Sequence, residues 1–204
     1  IMIIEYLGHS CFFIKAKGLS VVTDPFDGIG YKMKKVSCDY ALISHLHYDH
    51  SYAQGLNAGI IVTQPTPIFH AIKCYHDDEN GRKRGQNTAF YFDAEGLRIL
   101  HLGDLGEKFT KENAQKFKVD ADIVFIPVGG HYTISGKDAA QYAKAIGAKV
   151  TIPMHFKTND CNIDIAPPAE FLKYFNDYKT ADKRIEITRE NIDDFSTVTF
   201  MQFE

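Results

Sequence analysis

His45-Leu46-His47-Tyr48-Asp49-His50 packs three imidazoles and a carboxylate into six positions, directly behind the short apolar run Tyr40 to Ser44. Neutral imidazole and carboxylate are ligands for borderline divalent metals such as zinc. In a tight turn, His45 and His47 can face one metal while Asp49 and His50 face a second. A structural zinc site usually closes its tetrahedron with cysteines, and the motif has none, so the pattern points to an open, catalytic site. The competing reading is a chance cluster of surface or core histidines. Against it, more ligand-type residues follow later strands: His76 after the run ending at Tyr75, Asp104 within His101-Leu102-Gly103-Asp104-Leu105-Gly106, and His155 after Val150-Thr151-Ile152-Pro153-Met154. Ligands held at the ends of rigid strands are what a preorganised site requires.

Working outward, the first half alternates short apolar runs with turns. Ile3 to Leu7, Cys11 to Ile14 and Leu19 to Thr23 are separated by Gly8-His9 and Lys17-Gly18, the signature of strands. Asp24-Pro25-Phe26-Asp27-Gly28 reads as a turn. Ile60 to Thr63, Ile68 to Tyr75, Thr88 to Phe92 and Leu97 to His101 continue the series, with Ala94-Glu95-Gly96 as a hairpin turn. Helices are expected later: Lys111 to Lys118 capped by Thr110, Asp138 to Ile146 stopped by Gly147, and a third opened by Pro167-Pro168 and running to about Tyr178. Ile123 to Pro127, Lys149 to Pro153 and Thr197 to Met201 complete the strands. No linker, repeat or low-complexity tract interrupts residues 1–204. A single α/β domain is expected, with two sheets facing each other and helices outside.

Composition agrees with a folded globular chain: 204 residues, 45% hydrophobic and 24% charged. The net charge of -3 supplies no global basic field, which argues against long nucleic acid. No apolar run has transmembrane length, and Met2-Ile3-Ile4-Glu5-Tyr6 lacks a basic leader. The four cysteines, Cys11, Cys38, Cys74 and Cys161, form no CxxC pair and read as reduced, buried thiols. The expected location is the cytoplasm.

The HxHxDH motif, the later histidine, Gly-Asp-x-Gly and Pro153-Met154-His155-Phe156 resemble the metallo-β-lactamase superfamily. Leu7-Gly8-His9-Ser10-Cys11-Phe12, Thr23-Asp24-Pro25, Arg84-Gly85-x-Asn87-Thr88 and His101-Leu102-Gly103-Asp104-Leu105-Gly106 are similar to its branch of ascorbate-6-phosphate lactonase-like, zinc-dependent hydrolases. The resemblance spans about Ile3 to Lys157. It implies an αββα four-layer sandwich of two mixed sheets, with the metals at one edge. It also implies roles: His45, His47 and His76 on the first metal, Asp49, His50 and His155 on the second, and Asp104 bridging them. No lid or second domain is inserted, which argues against the large nuclease branches. Few residues remain for substrate loops, so a shallow pocket is expected.

Several residues carry a second possibility. His70 competes with His76 but falls at a strand start. Asp24 can accept the free N–H of a ligating histidine or simply form an Asp-Pro turn. His9 lies in a turn that the resemblance places near the site, or is a buried, hydrogen-bonded histidine; His101 reads as a satisfied interior one. After Gly129-Gly130, His131 or Tyr132 can donate a proton to a leaving group or contact substrate, and an ordinary loop is the alternative. Arg82-Lys83-Arg84 is a solvated turn or steers an anionic substrate. Cys74 and Cys161 have no base partner for thiol catalysis.

The expected chemistry is hydrolysis of a small ester, lactone or phosphate ester by a hydroxide shared between two divalent ions roughly 3.5–4 Å apart. Asp49 and Asp104 orient it. Zinc is the expected metal, with manganese or iron as alternatives. Three other readings compete: a phosphodiesterase acting on nucleotides or RNA, a di-iron redox protein, and a non-catalytic binding module. Di-iron relatives replace a motif histidine with Glu, whereas His47 is present here. Non-catalytic relatives lose ligands, and this chain keeps all seven candidates. Substrate and oligomeric state are not readable from these residues.

Overall fold

The structure, a computed structural model, describes residues 1–203. Its first sheet contains β1 (Met2–Gly8), β2 (Cys11–Ala16), β3 (Leu19–Thr23), β4 (Ser37–Leu42), β5 (Asn57–Val62) and β12 (Arg184–Ile187), in the order β12-β1-β2-β3-β4-β5. The second contains β6 (His70–Tyr75), β7 (Gln86–Ala94), β8 (Leu97–His101), β9 (Ile123–Pro127) and β10 (Val150–Met154), in the order β10-β9-β8-β7-β6. Both are mixed. Pairing is parallel along β3-β4-β5 and along β8-β9-β10, and antiparallel elsewhere.

Alternation along the strands makes the sandwich. Tyr6, Phe12, Ile14 and Leu42 point inward to meet Phe90, Phe92, Ile99 and Phe125 of the facing sheet. The rings of Phe12 and Phe125 lie 4.3 Å apart, which fixes the sheets face to face. Burying each such side chain contributes about 1.5–3 kcal/mol. Their neighbours Leu7, Cys11, Val22, Ala41 and Ile43 point the other way, onto Phe26, Ile29, Cys161, Ile163 and Ile165. This outer face is therefore covered by loops, while α2 (Gly136–Ile146) lies on β9, with α1 (Lys111–Gln115) and α3 (Ala169–Leu172) against α2.

Local chemistry sets the helix ends. Ser135 accepts the Asp138 N–H at the start of α2, and Gly147 ends it at φ 71°. Thr110 likewise accepts the Asn113 N–H of α1. That helix stops short of Lys118 because Lys116, Phe117 and Lys118 bond to carbonyls three residues back rather than four. The same tightening at Tyr174 and Phe175 limits α3 to one turn instead of a run to Tyr178. Two strands lie outside the expected set, β11 (Lys179–Ala181) and β12. The final strand, β13 (Thr199–Met201), pairs parallel with β11, and Val198 just ahead of it makes a single parallel bridge to Thr151 of β10. Among the described residues, no helix is long and apolar enough to cross a membrane.

What positions the site is the common end of these strands. β1, β3, β4, β6, β8 and β10 each run out into a loop carrying a chemically active residue. Backbone hydrogen bonds tie those loops together: Thr88 N–H to the Ser44 carbonyl (3.0 Å), Gly106 N–H to Tyr75 (2.9 Å) and His155 N–H to His9 (3.0 Å). In open α/β sheets, sites gather beyond the carboxyl ends of parallel strands.

Candidate metal centre

Asp104, two residues past the Leu102 N–H that still bonds to β9, is the hub. Its Oδ2 lies 3.1 Å from His50 Nε2, 3.2 Å from His155 Nε2, 3.3 Å from His76 Nε2 and 3.9 Å from His45 Nε2. The His47 ring stands 4.6 Å from that of His45 and 5.0 Å from that of His76. Asp49 Oδ2 lies 3.6 Å from His50 Nε2. Donor atoms of His45, His47 and His76 fall within 4.8 Å of one another, as do those of Asp49, His50, His155 and His9. All seven residues marked as ligands from the sequence thus come together. His70 stays apart, its ring stacked on Tyr91 at 4.8 Å.

Hydrogen bonds aim these side chains. Asp24 accepts the Ser44 N–H (2.8 Å), the Ser44 hydroxyl (2.7 Å) and His50 Nδ1–H (3.0 Å). With the Ser44 proton committed to Asp24, its oxygen can only accept from His45 Nδ1, 2.9 Å away. Held at Nδ1 in this way, both imidazoles turn Nε2 toward the centre, the nitrogen that ligation needs. Asn87 holds the Asp104 turn, accepting the Asp104 N–H at 2.9 Å and donating to the Leu102 carbonyl at 2.8 Å. Gly103 and Gly106 let that turn close: a Cβ on Gly103 would meet Asn87 Oδ1 at 2.4 Å, and one on Gly106 the His76 carbonyl carbon at 2.3 Å.

The centre is electrostatically unbalanced. Burial would raise the Asp104 carboxyl, yet the charges of His155 and His50 hold it well below the usual range. Burial lowers His50, but Asp104 and Asp24 override that and raise it. Burial followed by the His50 charge pushes His45 down to about 3. These carboxylates draw positive charge into a water-poor volume, as a proton on His50 or as a metal whose binding displaces that proton. His45 Nε2, His50 Nε2 and Asp104 Oδ1 are buried with no hydrogen-bond partner among the described residues, a costly arrangement unless a cation accepts their lone pairs. Donor set and orphaned atoms fit divalent ions.

Above the centre opens a cavity of about 540 Å3, lined by His47, Asp49, His76, Asp104, Tyr48, Arg84, Tyr132 and Asn162 to Asp164. A second lobe of about 460 Å3 shares His47 and Arg84 and adds His45, Leu46 and Thr88. Residues 162–164, in the loop after β10, supply one wall. Volumes of this kind suit small molecules. Within the basic run only Arg84 reaches the mouth, its guanidinium 5.5 Å from the Tyr132 ring. Arg82 and Lys83 pair outward with Glu79. Tyr132 lines the main cavity; His131 lines the adjoining cleft instead, 3.6 Å from Asp164. His101 is satisfied, bonded to the Ser10 carbonyl (3.0 Å) and the Gly103 N–H (3.2 Å).

Two contributors, Ser44 and Asp77, lie outside the residues that the sequence singles out. Ser44 looked like a strand terminus, and nothing in its spacing announces a relay. Asp77 accepts the N–H groups of Glu79, Gly81, Lys83 and Arg84 at 2.7–3.0 Å, folding the loop that delivers Arg84. Its signal was an acidic residue ahead of Asn80-Gly81.

A family model described as the beta-lactamase superfamily domain matches residues 3–155. A Thermotoga maritima crystal structure, assigned to the zinc-dependent hydrolases of the metallo-β-lactamase superfamily, aligns with a TM-score of 0.78 at 30% identity, covering 98% of each chain. This chain belongs to the metallo-β-lactamase superfamily. Within it, the chain is 30% identical to a UPF0173 protein of Pyrococcus abyssi over 77% of its length and 84% of the relative's. It is 25% identical to a UPF0173 metal-dependent hydrolase of Alkaliphilus metalliredigens over 77% and 86%. A novel metallo hydrolase of Ignicoccus hospitalis shares the fold, with a TM-score of 0.61, 19% identity and coverage of 84% and 89%.

Proposed function

We propose that the chain is a two-metal hydrolase acting on a small, anionic ester, lactone or phosphate ester. One observation carries this: seven donor residues from both sheets converge, five of them buried, beneath a cavity whose lining among the described residues holds a single arginine. His45, His47 and His76 would hold one ion, Asp49, His50 and His155 the other, and Asp104 would touch both. Zinc suits the three-histidine position, with manganese or iron as alternatives. Such ions supply Lewis acidity and bring the pKa of a coordinated water toward neutrality.

The chain's own residues do the rest. Asp104 and Asp49, the latter lining the cavity, orient the attacking water. Arg84, its guanidinium 5.5 Å from the Tyr132 ring, offers a bidentate donor to a carboxylate or phosphate of the substrate. The Tyr132 phenol faces the same space and can donate to the leaving oxygen, a role for which His131 is less well placed. Leu46 and Tyr48 flank the two lobes with apolar surface. Four free, buried thiols accord with a reducing cytoplasm.

A screen of lactones, phosphate esters and cyclic nucleotides with metal-loaded protein tests the reading. Asp104→Ala and His155→Ala should lose metal content and turnover together. Arg84→Ala should raise KM for an anionic substrate by roughly 10-fold or more while sparing kcat, as expected for loss of a charged hydrogen bond. Full turnover with the second position empty would refute the two-metal assignment.

A further inference from the structure

We propose that His9 is an additional metal ligand, joining Asp49, His50 and His155 at the second position. The inference rests on the two-metal reading and extends it to a residue outside the set of seven. His9 follows β1, and its side chain is fully buried. Its Nε2 lies 3.4 Å from Asp49 Oδ2, and its ring centre 4.2 Å from that of His155 and 5.0 Å from that of His50. One donor atom from each of these four residues lies within 4.8 Å of the others.

Neither ring nitrogen of His9 has a hydrogen-bond partner among the described residues. Burial alone does not orphan an imidazole in this molecule, since equally enclosed His101 has both nitrogens bonded. Three imidazoles and a carboxylate facing one point, with lone pairs converging, are mutually repulsive unless a cation lies between them. The two gaps to Asp49 Oδ2 agree, 3.4 Å from His9 Nε2 and 3.6 Å from His50 Nε2: for metal–donor bonds of about 2.0–2.2 Å, neighbouring donors sit roughly 3–3.5 Å apart. A charge-assisted hydrogen bond between His9 and Asp49 would instead be about 2.7–2.9 Å and aligned.

The backbone aims His9 deliberately. His9 and His155 both adopt left-handed φ values, 55° and 53°, and the His155 N–H bonds to the His9 carbonyl at 3.0 Å. Strained residues of this kind cost about 1–3 kcal/mol and gather where function over-determines the geometry. With Asp104 included, the second position has five candidate protein donors. That exceeds the four of tetrahedral zinc and favours an ion that accepts five or six ligands.

The test is NMR on protein loaded with the spin-active cadmium isotope and carrying nitrogen-labelled histidine, in which scalar coupling reports each imidazole bonded to metal. Of the nine histidines, six should couple: His9, His45, His47, His50, His76 and His155. The His9→Gln variant should lose one coupled imidazole and keep the others. Five coupled imidazoles with His9 uncoupled overturn the inference and leave the two-metal reading standing. No coupled imidazole at all overturns both. The count in the unsubstituted protein decides the matter even if His9→Gln does not fold.

Discussion

Asp24 makes no contact with the cavity, yet it fixes which nitrogen His50 presents and, through Ser44, which one His45 presents. The Asp24→Asn variant keeps the size and loses the charge, so the relay can no longer hold both rings in one tautomer. Metal affinity should fall about 10–100-fold, with kcat/KM following, as measured by chelator competition; unchanged affinity would remove the relay from the argument. Cysteine gives a contrasting residue-scale expectation. Burial pushes the Cys74 thiol up to about 12, and all four cysteines are free and buried. In native protein at mildly alkaline pH, a thiol reagent should react slowly, and unfolding should release all four. Rapid labelling of Cys74 in the native state would contradict this. The ligand residues were legible in the sequence because imidazoles and carboxylates recur just past apolar runs. The relay was not, because Asp24 and Ser44 lie twenty residues apart and no spacing rule joins them before the strands pair.

At the scale of elements, the turn after β8 tolerates nothing larger than glycine. A Cβ at Gly106 would sit 2.4 Å from Asp77 N as well as against His76, so both neighbouring strand ends must move. The Gly106→Ala variant should lose about 1–3 kcal/mol in urea unfolding and bind metal weakly. Gly147→Ala at the end of α2 has open space around its Cβ and should cost only about 1 kcal/mol from its left-handed φ, leaving metal binding intact. Equal effects of the two variants on metal content would disconnect the turn from the centre. Elements were legible where one force dominated. Strand existence followed apolar alternation, and the end of α2 followed Gly147, whereas its start lies ahead of the expected Asp138, at Gly136, where the Ser135 hydroxyl caps it. Boundaries drifted where helices wound down through short hydrogen bonds, as after Gln115 and Leu172. β12 was overlooked although Arg184-Ile185-Glu186-Ile187 alternates exposed and buried, because four residues among many charges give a weak period.

For the whole molecule, the centre lies on the seam between the sheets. His9 and residues 45–50 come from the first sheet, and His76, Asp104 and His155 from the second. A cation bound here links segments that only the folded chain brings together, so binding energy becomes folding stability. Free metal at a thousand times its Kd stabilises by about 4 kcal/mol. Since about 1 kcal/mol moves Tm by roughly 2–4 °C in a domain of this size, chelation should lower Tm on the order of 10 °C, and added metal should restore it. The apo chain should still fold, because the apolar layer around Phe12, Phe90 and Phe125 does not depend on the ligands. His155→Ala should shrink the metal-dependent shift in differential scanning calorimetry, while Gly147→Ala should lower both curves equally. A Tm indifferent to chelator and metal alike would mean that no cation bridges the sheets, and the orphaned lone pairs of His45 and His50 would then need another explanation.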